Sequence, residues 1–130
     1  MCILRKKAEI KHCGWADNAL VSAYLMNEDS NAAIYLPDKK SKKYKKALVM
    51  ASQALEEVSA IGYVPEDHDC DDFAAELFGK FAGLMWTDVH ALNWFIDENE
   101  EFWFIEPQTK KVSKQITLGA GKYIRFFIGR

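Results

Sequence analysis

The sequence predicts an α+β fold in which helices pack on a small antiparallel sheet; two periodicities and the composition lead there. Phe73, Ala74, Leu77, Phe78, Phe81 and Leu84 recur at the three-and-four spacing that gathers side chains into one stripe on a helix. His90, Leu92, Trp94 and Ile96 alternate with Ala91, Asn93, Phe95 and Asp97, the period-two pattern of a strand. The chain has 130 residues, of which 49% are hydrophobic and 13% aromatic. That length buries roughly two-thirds of the unfolded surface around one core. A single domain over residues 1–130 is expected, helical over about 1–84 and an antiparallel sheet over about 85–130.

Each element has a local reason. Alternation around Ile3, Arg5 and Lys7 suggests a short edge strand at the start. Asp17 is placed to cap a helix running through Leu20, Val21, Ala23, Tyr24 and Leu25, which the polar stretch from Asn27 to Asn31 ends. Ala32 to Leu36 reads as a strand stopped by Pro37. The lysine run inside Asp38–Lys46 reads as a solvated loop and helix start rather than a phosphate-binding patch, because charge runs usually face water. Ala47, Leu48, Ala51, Ala54, Leu55, Val58 and Ile61 form a second amphipathic stripe, closed by Gly62. Pro65 biases Val64 toward extended backbone ahead of the next helix. Gly83 to Asp88 reads as a turn into the sheet. Val89–Asp97 and Glu101–Glu106 are strands, Val112 to Thr117 pairs again, Gly119-Ala120-Gly121 is a turn and Tyr123–Ile128 is the last strand.

Net charge is −2, which gives no general attraction to nucleic acid or anionic membrane. No apolar run is long enough to span a bilayer, and no signal-peptide pattern opens the sequence. Three cysteines, an odd number, indicate free thiols and a cytoplasmic location. Cys-x-x-Cys and His-x-x-x-His spacings are absent, so neither a metal nor another cofactor is expected, although His68, Asp69, Cys70, Asp72 and His90 supply mixed potential ligands.

The candidate chemistry centres on Cys70, placed at the first turn of the helix that carries Phe73 and Leu77. Unpaired amides and the partial positive charge of a helix start favour thiolate, while Asp69, Asp71 and Asp72 oppose it. His90 and Glu106 follow in an order that suits a base and its orienting acid. If Asp97, Glu98 and Asn99 form the hairpin loop, Ile96 faces Glu100 and His90 lies directly opposite Glu106; shifting the register by one residue would put them on opposite faces. His90 belongs to the more apolar strand face, the one expected to meet the Cys70 helix. Trp86 and Gln108 are candidate substrate-binding residues, and the Cys70 amide is a candidate oxyanion donor, with Gln53, Gln108 or Trp86 as the second. Asn93 lies on the other face and reads as structural.

The order Asp69-Cys70-Asp71-Asp72-Phe73-Ala74, His90-Ala91 and Trp103-Phe104-Ile105-Glu106-Pro107-Gln108 resembles the core of the transglutaminase-like group within the papain-like cysteine fold. The resemblance covers roughly Tyr63 to Thr109. It implies a papain-like core with Cys70 as nucleophile, His90 as general base and Glu106 as the acid that orients it. It also implies acyl transfer or hydrolysis of a peptide or amide substrate through a thioester. Cys13 is a weaker candidate, since the papain-type signature sets Cys directly before Trp and Gly14 intervenes; a small buried residue before a helix is the plainer reading. A non-catalytic binding module, holding a partner through its aromatic surface or lysine cluster, is the alternative on the same scaffold.

Overall fold

The computed structural model describes residues 10–50, 70–106, 110–116 and 123–130; the side chains of residues 50 and 70–72 lie outside that description. The elements are β1 (Gly14–Asp17), α1 (Asn18–Glu28), β2 (Ala33–Tyr35), β3 (Lys40–Tyr44), α2 (Lys46–Met50), α3 (Cys70–Lys80), β4 (Gly83–Thr87), β5 (Ala91–Asp97), β6 (Phe102–Glu106), β7 (Lys111–Ser113) and β8 (Ile124–Ile128). The strands join in one eight-stranded sheet with the path β1-β3-β5-β4-β8-β2, and β6 and β7 branch from β5.

This architecture corrects the expected small antiparallel sheet under a helical N-terminal part. β1, β2 and β3 come from that supposedly helical region, and the sheet is mixed: β2 runs parallel to β8, and β3 parallel to β5. β5 explains the branching. One edge pairs with β6, while the other is shared, β4 taking Ala91–Trp94 and β3 taking Ile96 and Asp97. All of β5 is buried. Leu92, Trp94 and Ile96 pack with Val21 and Leu25 of α1, Met85 and Phe127. Phe95, on the opposite face, packs with Phe73, Leu77 and Phe81, and with Trp103 and Ile105. Each such fully buried Leu or Phe contributes roughly 2 kcal/mol by removal from water.

Local chemistry sets the element ends. Asp17 caps α1, its carboxylate accepting from Ala19 N at 3.2 Å. Beyond the helix, the Asp29 carboxylate accepts from Ile124 N at 2.9 Å and Asn31 N at 3.0 Å, which ties the loop to the start of β8. Those two bonds, Ile124's first, hold the Asp29 carboxyl below its ordinary pKa against a smaller opposing effect of burial. Asn93 Nδ2 donates to Ala74 O and Gly83 O, both at 2.9 Å, and so fastens α3 and β4 to β5. The structural role expected of Asn93 therefore has a specific form.

Three local readings differ from the structure. The lysine run forms β3, because β1 pairs with it antiparallel and β5 parallel; Ser41 opposite Ala16 and Tyr44 opposite Asp97 are buried on opposite faces, with lysines between and beside them. Gly83 to Thr87 is a strand, and its glycine is there for close approach: a Cβ would stand 2.5 Å from Trp94 Cε2 and 2.8 Å from Ile128 O. Cys13 is exposed rather than buried. The proposed edge strand near Ile3, the second helix beyond Met50, the Val64-Pro65 segment and the Gly119-Ala120-Gly121 turn lie outside the described residues.

The β5–β6 hairpin turns on Asp97, which is 2% exposed. Its Oδ1 accepts from Asn99 N and Glu101 N at 2.9 Å each, and its Oδ2 from Trp103 Nε1 at 2.8 Å. Glu100 takes φ 62°, the left-handed residue of a three-residue loop that follows a type I turn. Burial raises the Asp97 pKa, but the bonds from Glu101, Trp103 and Asn99 and the nearby Lys114 charge outweigh it, leaving the carboxyl below its ordinary value.

Two stability measurements check this account. Gly83→Ala should cost about 2 kcal/mol in urea unfolding, the scale of core overpacking; an unchanged midpoint would contradict the close approach. Because the folded-state pKa of Asp97 is depressed, its carboxylate contributes fully above the unfolded value of about 3.9 and less as pH falls through the folded value. Asp97→Ala should therefore cost about 3 kcal/mol at pH 7, and the gap to wild type should narrow below about pH 4. A gap that widens in acid would refute the assignment.

Candidate functional site

The hairpin register brings two of the expected site residues together. Ile96 pairs with Phe102, not with the expected Glu100, so the loop is Glu98–Glu100 and the strands slide by two positions. An even slide preserves faces. His90 is thus diagonal to Glu106 rather than directly opposite, and Nε2 lies 2.9 Å from Glu106 Oε2. Both side chains are mostly covered, at 19% and 22% exposure.

The ring is positioned by the β4–β5 turn. Thr87 N donates to His90 O at 2.8 Å, and His90 N donates to Thr87 Oγ1 at 2.9 Å, so Asp88 and Val89 form a tight connection. Strand alternation carries His90 to the side of Leu92, and Glu106 to the side of Phe104; both neighbours belong to the core beneath α1. A small concavity beside Glu106 is lined by Leu92, Phe104, Lys111, Ser113 and Gln115.

Cys70 opens α3, as its position in the sequence predicts, and its side chain lies outside the described residues. α3 itself packs on the opposite sheet face, through Phe73, Leu77 and Phe81 against Phe95 and Ile105. This corrects the expectation that the face of His90 meets the Cys70 helix. Asn93 and Phe95, not Leu92 and Trp94, are the β5 residues that α3 covers. Gln108 is outside the described residues. Among the described residues no group of three His, Cys, Asp or Glu side chains converges on a metal site, and no helix is long and apolar enough to cross a membrane.

Trp86 belongs to a second surface, on the α3 side of the sheet beyond that helix. It pairs across strands with Phe126, the rings edge to face with centroids 5.3 Å apart. Phe126 in turn faces Ala33 on β2, while the next row sets Leu84 against Ile128 and Ile128 against Tyr35. Trp86 is 36% exposed and Tyr35 60%. No local spacing announces this shelf, because β2 reaches β8 through a parallel pairing distant along the chain. Arg130 closes its boundary with α3, its guanidinium donating to Phe78 O at 2.7 Å and lying over the Phe78 ring.

If the imidazole and carboxylate form a true pair, a double-mutant cycle of His90→Ala and Glu106→Gln at pH 7 should return a coupling of about 1 kcal/mol that weakens with salt. Strictly additive effects would show that the contact carries no energy.

No family model matches the chain, and neither does any curated protein sequence. Solved structures do. A structure described as the PSL1a-E64 complex aligns with a TM-score of 0.67 at 20% identity, covering 88% of this chain and 50% of that one. A lectin of Polyporus squamosus, bound to the human-type influenza-binding epitope Neu5Acα2-6Galβ1-4GlcNAc, aligns with a TM-score of 0.65 at 20% identity, covering 88% of this chain and 49% of that one. The chain therefore spans about half the length of the chains it matches. These findings replace the expected transglutaminase-like assignment and its papain-like, helix-packed core, together with the acyl-transfer function and peptide or amide substrate that the assignment implied. At this identity the alignments show a fold shared with about half of each of those chains.

Proposed function

We propose that the domain is a non-catalytic binding module whose ligand is a carbohydrate. The observation that carries this reading is the alignment of 88% of the chain with a lectin solved in complex with a sialylated trisaccharide. Exposed aromatic side chains support it: Trp15, Tyr35, Trp86 and Tyr123 are all open to solvent, and Trp and Tyr offer large rigid contact area at low entropic cost. A cytoplasmic location belongs to the same reading, supported by the odd cysteine count and the exposed free thiol of Cys13.

Isothermal titration calorimetry with Neu5Acα2-6Galβ1-4GlcNAc and with Galβ1-4GlcNAc tests the proposal. Saturable binding is expected, with a Kd on the order of 0.1 mM, about −5.5 kcal/mol. Intact-mass analysis after iodoacetamide treatment at mildly acidic pH supplies the opposing outcome. Absence of glycan binding, with Cys70 alkylated ahead of Cys2 and Cys13 and that preference lost in His90→Ala, would overturn a purely binding role.

A further inference from the structure

We infer that the outer edge of β1 is a docking site for an extended acidic segment of a partner protein, which adds to the sheet there as one more strand. This edge is independent of the carbohydrate reading and stands or falls without it.

The first feature that points to it is unused backbone. Among the described residues β1 lies at one end of the sheet path, with β3 on its inner side. Asn18 N donates to Lys39 O at 3.2 Å, which continues the β1–β3 register past Asp17. Bonded and unbonded pairs alternate along an antiparallel ladder, so Ala16 bonds across to Ser41 while Trp15 faces Lys42 without bonding to it. Lys42 keeps the same alternation: its N–H turns away from β1 and donates to Arg130 O at 2.9 Å. The N–H and C=O of Trp15 therefore point out of the sheet edge, where an incoming strand can accept one and donate to the other. Such an edge is a template for pairing with another chain.

The second feature is charge. Lys42 and Lys40 stand directly opposite Trp15 and Asp17 and so share their sheet face; Lys11 is exposed just ahead of the strand. Lys43 belongs to the other face, beside Gly14, and its ammonium reaches Glu100 at 3.4 Å. Among the described residues Lys11, Lys40 and Lys42 have no ion pair of that kind. Asp17 is the one acid of β1, and its carboxylate is turned to Ala19 N as the helix cap. The surplus of cations repels a basic strand and attracts an acidic one. A second copy of the chain would bring the same lysines to the contact, which disfavours self-pairing. A nucleic acid or a sulfated glycan would answer the charge but leave the Trp15 amide and carbonyl unused.

Trp15 supplies the apolar part of the site. Its side chain is 49% exposed, and its ring meets His12 edge to face with centroids 4.5 Å apart, which holds the indole in place. The guest residue paired with Trp15 falls on the same sheet face, so an apolar side chain there covers the indole. Acids at the positions around it lie in the field of the lysines. The fitting partner is thus an extended segment in which acidic residues alternate with apolar or β-branched ones.

The experiment is calorimetric titration of the full chain with the peptide acetyl-Ser-Glu-Thr-Glu-Phe-Glu-Thr-Glu-Ser-amide, with urea midpoints to establish that each protein variant folds. The peptide should bind at least about tenfold more tightly than its counterpart with Lys in place of Glu, and added salt should weaken it. Two further copies, N-methylated at every second residue in the two possible phases, should differ: one loses binding and the other retains it, because alternate amides face β1. Trp15→Ala should weaken binding about tenfold, as loss of an aromatic anchor does. Trp15→Pro should weaken it further, since proline removes an outward N–H that the β1–β3 ladder does not use. Reversing charge in the Lys40→Glu/Lys42→Glu double variant should cost about tenfold or more. No binding at about 1 mM peptide, equal binding of the Glu and Lys peptides, or equal binding of the two methylated phases would overturn the inference. So would dextran sulfate binding more tightly than the peptide and unaffected by Trp15→Pro, which would give the lysines to a polyanion. A dimer in light scattering that Trp15→Pro dissociates would give the edge to a second copy and overturn it as well.

Discussion

Burial of β5 on both faces is the constraint from which the rest follows. A strand covered on each side has to be apolar at nearly every position, and Ala91 to Asp97 meets this with two exceptions, Asn93 and Asp97. Both earn their place by bonding. Asp97 gathers two backbone amides and an indole N–H around one carboxylate, which fixes the hairpin loop and through it the register of β6. Asn93 donates both amide hydrogens to the carbonyls of α3 and β4, and its buried Oδ1 has no partner among the described residues. An unpaired buried oxygen costs on the order of 1–3 kcal/mol. The site retains it because the two donated bonds set the position of α3 on the sheet.

The same strand divides the surface chemistry. Its alternation directs His90 to the α1 side with Leu92, and puts Asn93 and Phe95 under α3. Beyond α3 that second face continues across β4, β8 and β2 as an aromatic shelf, with Arg130 at its edge, where the guanidinium lies over the Phe78 ring. The imidazole–carboxylate pair and the shelf are thus products of one sheet, separated by its thickness. Lysines elsewhere are drawn into the scaffold: Lys46 Nζ lies 3.9 Å from the Trp103 ring centroid, and its backbone amide donates to Glu98. The stem of a lysine covers apolar surface while its head remains solvated, which accounts for a basic run that serves as a strand.

Structural likeness at 20% identity carries the architecture and leaves the ligand to be argued from this chain's own surface. Nearly the whole chain takes part in the alignment, but only about half of each matched chain does.

Features that depend on neighbours along the chain can be read from the residues alone. Asp17 as a cap, α3 from Cys70, the paired strands of the hairpin and the final strand are legible because capping, amphipathic stripes and period-two alternation act within a few residues. The contact of His90 with Glu106 could be read only as the outcome of an odd-length loop, which the structure supplies: parity survives the two-residue slide, even though the exact pairing does not. Tertiary structure alone decided what long-range pairing controls. Lys40–Tyr44 became a strand because β1 and β5 offer it partners, and Gly83 opened β4 because Trp94 and Ile128 leave no room for a side chain. It also decided which face α3 covers and which aromatics stay open. A strand's periodicity states that it has two faces, but the side on which a helix settles depends on contacts made across the sheet, and these have no signature in local spacing.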